Sequence, residues 1–199
     1  MKNILLCGVG GQGTVLASKL IAFAAMERGE NVRTSETIGM SQRGGCVVSH
    51  VRAGESIDSP MLPKGSADII IAFEPAEAVR NIGYLKRGGT VIVNKKAVKP
   101  VTASLTGSAY DGSEALGYLR ENIEKLVEID GDGICEKCGS PKVLNIALLA
   151  AAAKSGALGM TVEELRNAIV KRLPERFHEL NLKAVELAGT PVPAPPSAF

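Results

Sequence analysis

The run Gly8-Val9-Gly10-Gly11-Gln12-Gly13 sets glycines at the spacing G-x-G-x-x-G, between an apolar segment and a helical period. Without Cβ atoms the chain can turn sharply there and bring backbone N–H groups toward an anion at the start of the helix. The same glycines let another subunit approach closely, so the run alone suits phosphate binding or subunit contact. A dinucleotide also needs an acid after the second strand to hold its ribose. Glu36 lies near the right distance, yet Arg33 and Thr34 precede it and Thr37-Ile38-Gly39-Met40 follows without a clear helix. Gly13-Thr14-Val15 lacks the Gly-Lys-Ser/Thr ending, which excludes a P-loop ATPase at its most specific residue.

Ser41-Gln42-Arg43-Gly44-Gly45 puts a planar, permanently charged guanidinium beside paired glycines, just before a strand. That combination suits a carboxylate or a phosphate, and an ordinary turn with a solvated arginine is the alternative. Cys135-Glu136-Lys137-Cys138 has the spacing of half a zinc site or of a redox pair. Cys7 and Cys46 show no paired spacing and His50 and His178 stand alone, so reduced thiols are favoured over a metal or a disulfide. An iron–sulfur cluster needs four suitably placed thiolates, which argues against one held by this chain alone. Neither histidine belongs to a hydrolase elbow or an H-E-x-x-H helix. Asp130-Gly131-Asp132-Gly133 lacks the spacing of a calcium loop and reads as a turn.

The elements that must position these residues alternate. Asn3 to Cys7 is a short, almost wholly apolar run, the mark of a strand buried on both faces, and Thr14 to Arg28 is a helical period ending at Gly29. Asn31 to Glu36 and Gly45 to Arg52 are further strand candidates; Ala67 to Phe73 is the clearest buried strand. A helix is predicted over Ala76 to Lys86, stopped by Gly88-Gly89, followed by a strand from Thr90 to Asn94. Ser113 to Asn122 reads as helix and Lys125 to Asp130 as strand. From Pro141 the period is helical throughout: Lys142 to Lys154, a helix opened by the capping box Thr161-Val162-Glu163-Glu164 and running to about Arg172, then Pro174 to Ala188. The pattern predicts a three-layer α/β fold with a mostly parallel, Rossmann-like sheet and a helical carboxy-terminal portion. We expect one domain over residues 1–190 and an extended tail over 191–199, where four prolines forbid a helix or central strand.

Composition narrows the function classes. Among 199 residues, 23 Lys and Arg stand against 21 Asp and Glu, too even a balance to suggest nucleic-acid or membrane binding. Aromatic residues make up 4% and tryptophan is absent, which argues against base-stacking platforms. No apolar run reaches the ~18 residues of a spanning helix, and no secretory signal is recognisable, so a cytoplasmic protein is expected.

Taken together, Gly8–Gly13, Ser41–Gly45, His50-Val51-Arg52, Asp58-Ser59-Pro60, Ala67-Asp68, Pro141-Lys142-Val143-Leu144-Asn145 and Glu179-Leu180-Asn181 resemble the gamma-type domain of 2-oxoacid:ferredoxin oxidoreductases. The resemblance covers nearly the whole chain and points toward the indolepyruvate-type members. It implies a hetero-oligomer whose larger subunit carries thiamine diphosphate and iron–sulfur clusters. There an arylpyruvate would be decarboxylated, electrons would pass to ferredoxin and the acyl group to coenzyme A. This chain would hold no cofactor, metal or catalytic residue and would be inactive alone; it has no convincing thiamine-binding acid–asparagine motif. Gly8, Gly10, Gly11, Gln12 and Gly13, with Ser41, Arg43, Gly44 and Gly45, would form one surface at the carboxyl ends of the strands, meeting the partner or a phosphate of coenzyme A. The Cys135/Cys138 pair departs from the family's pattern. The rival reading is a stand-alone NAD- or FAD-binding or regulatory module.

Overall fold

Alternation along the first strand decides the architecture: Ile4 and Leu6 enter one hydrophobic core, Leu5 and Cys7 the other, and none is more than 1% exposed. In the computed structural model, which describes residues 1–38, 44–99 and 110–189, this strand is β1 (Lys2–Val9). The helix α1 (Thr14–Glu27) follows, then β2 (Asn31–Ile38), β3 (Cys46–Gly54), β4 (Ala67–Ala72), α2 (Pro75–Asn81) and β5 (Leu85–Asn94). After them come α3 (Ser113–Asn122), β6 (Lys125–Ile129), α4 (Gly131–Cys138), α5 (Leu144–Lys154), α6 (Val162–Arg172) and α7 (His178–Leu187). The six strands form one sheet in the order β2-β3-β1-β4-β5-β6. β1, β4, β5 and β6 run parallel, whereas β3 is antiparallel to both β1 and β2. The three-layer, mostly parallel α/β architecture and the helical carboxy-terminal part are as the sequence predicts.

One core lies between the sheet and α1, α4, α5, α6 and α7; the other lies under α2, α3 and Leu62. The ten residues Leu144–Ala153 of α5 are all buried, five of them alanine. Small side chains let this helix lie close to the sheet on one side and to other helices on the other. Its last residue, Lys154, donates Nζ hydrogen bonds to the carbonyls of Val185 (2.9 Å), Glu186 (3.4 Å) and Ala188, which otherwise lack partners at the end of α7. The capping box before α6 is present, with Thr161 Oγ1 accepting from Glu164 N–H at 3.1 Å and Glu164 Oε2 accepting from Thr161 N–H at 2.6 Å.

Two local expectations are corrected. The helix predicted over Ala76–Lys86 is α2, ending at Asn81, with a 3-10 turn at Ile82–Tyr84, and Gly88-Gly89 lies inside β5 instead of stopping a helix. The β4/β5 register jumps from Ala67↔Leu85 to Ile69↔Thr90, so the intervening residues of β5 bulge, and Gly88 supplies the φ of +69° that the bulge requires. The turn predicted at Asp130–Gly133 is the start of α4: Asp130 Oδ1 accepts from Gly133 N–H at 3.0 Å as an N-cap.

Segment 55–66 crosses the outer face of β3 and is held there by His50, 2% exposed, whose Nδ1 accepts from Leu62 N–H at 3.3 Å. The imidazole meets the Tyr84 ring edge-on at 5.5 Å, and the Lys64 ammonium sits 3.5 Å from that ring's centre. Burial, and then the Lys64 charge, lower the His50 pKa below its usual value. The neutral ring is therefore the folded form. Its contribution to stability is full above the unfolded value of about 6.5 and is lost as pH falls through the lowered folded value. His50→Asn keeps an acceptor near Nδ1 and removes the titration. The melting temperature of the wild-type chain is expected to fall more steeply from pH 7 to pH 5 than that of this variant, as followed by circular dichroism.

Candidate functional site

The carboxyl ends of β1, β4, β5 and β6 gather the loop residues, and β3 enters the sheet from the same end because it runs the opposite way. Gly10 N–H donates to the Gly45 carbonyl at 2.8 Å, so the glycine run after β1 and the paired glycines before β3 are in direct contact. Gly8, Gly10, Gly11, Gln12 and Gly13 are thereby brought together with Gly44 and Gly45. Ser41 and Arg43 lie outside the described residues.

Gly8 and Gly13 are required by close approach. A Cβ on Gly8 would stand 2.7 Å from Phe73 Cβ, and one on Gly13 would stand 2.8 Å from Asn145 Nδ2, at a left-handed φ of +86°. Gln12 uses both ends of its amide within the chain. Its Oε1 accepts from Val9 N–H at 2.7 Å, and its Nε2 donates to the Phe73 carbonyl at 3.1 Å. The glutamine thus clips the loop after β1 to the end of β4, and the backbone of Gly10 and Gly11 is what the loop presents outward.

Other side chains that the sequence reading did not single out complete this end of the sheet. Asn94, 1% exposed at the end of β5, donates to the same Phe73 carbonyl at 3.4 Å and accepts from Gly131 N–H at 3.1 Å. Asn145, in the first turn of α5, has its Nδ2 3.5 Å from the Gly13 carbonyl. Glu74, 2% exposed, caps α2 by accepting from Glu77 N–H at 3.0 Å and also accepts from the Tyr110 hydroxyl. Glu77 Oε2 accepts from the Cys46 thiol at 2.7 Å. Burial first, and the Glu77 carboxylate second, push the Cys46 thiol up to about 11; burial and Glu74 raise the Tyr110 phenol as well. These groups are hydrogen-bond donors held protonated at neutral pH, not nucleophiles. The one sequence signal for them was an acid, Glu74, placed directly after a fully buried strand.

Cys135 and Cys138 occupy the last turn of α4, which Gly139 ends in a left-handed conformation. The helix carboxyl end disfavours a thiolate there. Burial and Asp132 push the Cys135 thiol up to about 11. Among the described residues, no group of three or more His, Cys, Asp and Glu side chains is placed to hold a metal ion. The dinucleotide geometry also fails. Glu36 sits on β2, and the antiparallel β3 separates that strand from β1, so the acid is two strand spacings, roughly 10 Å, from the glycine loop's own strand. Its carboxylate accepts from Ser18 Oγ on α1 at 3.2 Å.

Gln12→Ala removes the partners of Val9 N–H and one donor to Phe73. It is expected to lower stability by about 1–3 kcal/mol, or several degrees in melting temperature, with Gly8→Ala costing a similar amount through overpacking against Phe73. Thermal denaturation of both variants checks this.

Comparison with known proteins places these features in context. The indolepyruvate oxidoreductase subunit IorB of Pyrococcus horikoshii is 35% identical over 187 residues, 93% of each chain. The pyruvate/ketoisovalerate oxidoreductases common subunit gamma of Thermococcus kodakarensis is 30% identical over 193 residues, covering 94% of this chain and 95% of its own. Among solved structures, the keto/oxoacid ferredoxin oxidoreductase gamma subunit of Geobacter sulfurreducens superposes with a TM-score of 0.65 at 25% identity, over 94% of this chain and 96% of its own. Among the described residues, no helix is long and apolar enough to cross a membrane. With a match to the pyruvate ferredoxin/flavodoxin oxidoreductase family running from residue 3 to residue 190, and relatives aligned over almost their full length, the chain belongs to that family as one of its gamma-type subunits.

Proposed function

We propose that this chain is the cofactor-free subunit of an indolepyruvate-type 2-oxoacid:ferredoxin oxidoreductase, acting as one domain over residues 1–190 in the cytoplasm. The observation that carries the reading is full-length similarity to subunits of that name, at 35% identity against 30% for the pyruvate/ketoisovalerate gamma subunit. In the assembled enzyme, thiamine diphosphate on the larger subunit supplies the carbanion chemistry for decarboxylation, and iron–sulfur clusters there carry electrons to ferredoxin. The residues of this chain do not fit either group. Its four cysteines are split between the sheet and the end of α4, and the thiols of Cys7, Cys46 and Cys135 are all raised in pKa. Its contribution is to bind and to position.

That contribution is made by the surface of Gly8–Gly13 and Ser41–Gly45. The Gln12 clip holds the first segment rigid, and the Gly10–Gly45 hydrogen bond keeps the second beside it. The surface then needs no reordering when the larger subunit docks, which lowers the cost of association. Outward-facing glycine backbone allows close approach, and Arg43 provides the cation for an anionic group, either a phosphate of coenzyme A or a carboxylate of the larger subunit.

The reading is tested by reconstitution. The isolated chain is expected neither to oxidise arylpyruvates nor to bind NAD or FAD at micromolar concentration. Mixed with the larger subunit it is expected to restore coenzyme A-dependent ferredoxin reduction. Loss of one charged hydrogen bond in Arg43→Ala predicts a change of about 10- to 100-fold. It appears in the KM for coenzyme A if the phosphate is the ligand, and in the affinity between subunits if the carboxylate is. An Arg43→Ala enzyme unchanged in both would remove Arg43 from the site.

A further inference from the structure

Two motifs that the glycine surface does not use, Pro141–Asn145 and Glu179–Asn181, converge on one cavity of about 320 Å³ beside the first turn of α1. Leu16, Val143, Phe177 and Leu180 form its apolar walls. Val143, 1% exposed, belongs to the core beneath, whereas Leu16 and Phe177 stand at the opening, 37% and 36% exposed. The opening is held in shape before anything binds: Asn181, 8% exposed, donates through Nδ2 to the Phe177 carbonyl at 2.7 Å, fixing the turn that carries the ring. The Arg176 guanidinium lies 4.9 Å from the centre of that ring. Among the described residues of the lining, Lys142 carries the only charge, and it is exposed. Leu16 lies three residues beyond Gly13, so the cavity is continuous with the glycine surface.

We infer that this cleft is an anchor site for the larger subunit, and the inference rests on the subunit reading above. Its occupant is an apolar or aromatic side chain of that subunit with a carboxylate as its neighbour, the first seated between Leu16 and Phe177 and the second paired with Lys142. Three observations converge on it. Large apolar side chains left at a rigid opening gain most from a partner that removes them from water. A pocket that admits one large side chain, walled by preformed apolar groups with charge confined to the edge, matches the anatomy of an energetically dominant interface contact. The lone ammonium selects an acidic neighbour and disfavours a basic one.

The test measures the dissociation constant between the full chain and the larger subunit of its complex by biolayer interferometry, with melting of each variant recorded in parallel. Leu16→Ser and Phe177→Ser are each expected to weaken binding tenfold or more. Lys142→Glu weakens it comparably, and its complex is tightened by added salt where the wild-type complex is loosened. Val170→Ser, at a 49% exposed apolar residue on α6 away from the cleft, binds as the wild type does. Because Lys142 is exposed, its charge reversal reads the cleft even where an apolar replacement costs stability. Cleft variants that bind with wild-type affinity overturn the inference and leave the subunit reading standing; a wild-type chain that does not bind the larger subunit overturns both.

Discussion

The carbonyl of Phe73, where β4 ends, accepts from two side-chain amides: Gln12 reaches it from the loop after β1 and Asn94 from the end of β5. A parallel sheet fixes its strands by ladder hydrogen bonds but leaves their carboxyl ends to diverge into loops, each with backbone groups to satisfy. Here one oxygen ties three neighbouring strand ends together. Asn94 extends the tie to Gly131 at the start of α4, and Asn145 brings α5 up to Gly13. The geometry of the glycine loop is therefore set by tertiary contacts and not by the loop's own preferences. The absence of Cβ atoms at Gly8 and Gly13 is what allows those contacts to close.

This network also separates two kinds of polar group. The amides are neutral and are matched donor to acceptor, so they cost little to bury. The carboxylates of Glu74 and Glu77 lie nearby, and their partners are a backbone N–H, the Tyr110 hydroxyl and the Cys46 thiol, with Arg80 Nε 3.4 Å from Glu77. Burial and the adjoining negative charge keep that thiol and phenol protonated. A site arranged in this way is built to hold shape and offers no reactive nucleophile, which agrees with a division of labour in which a neighbouring subunit does the chemistry.

Much of the fold was legible in the sequence because buried parallel strands leave continuous apolar runs. Asn3–Cys7 and Ala67–Phe73 were found within a residue or two of β1 and β4, and the capping box located α6. The misreadings share a cause, namely glycine in a role set by packing. Gly131 and Gly133 weaken any helical pattern, yet α4 forms because Asp130 caps it and because Leu144 and Asn94 leave no room for a side chain at Gly131. Gly88-Gly89 looks like a helix stop and is a bulge. The antiparallel sense of β3 was not legible at all, since an alternating pattern carries no direction. Within the site, glycine spacing marked the loop, but Asn94, Asn145 and Glu74 each sit singly at the edge of an apolar run, where a polar residue reads as an ordinary boundary.

The reversed strand β3 has an architectural result that reaches beyond this chain. Since it enters beside the exit of β1, the connection that joins it to β2 hangs from a hairpin, not from a crossover, and hairpin tips lengthen or shorten without shifting the strands below. Enzymes that handle different oxoacids can thus share one scaffold, with diversification confined to a single appendage and the buried framework inherited intact.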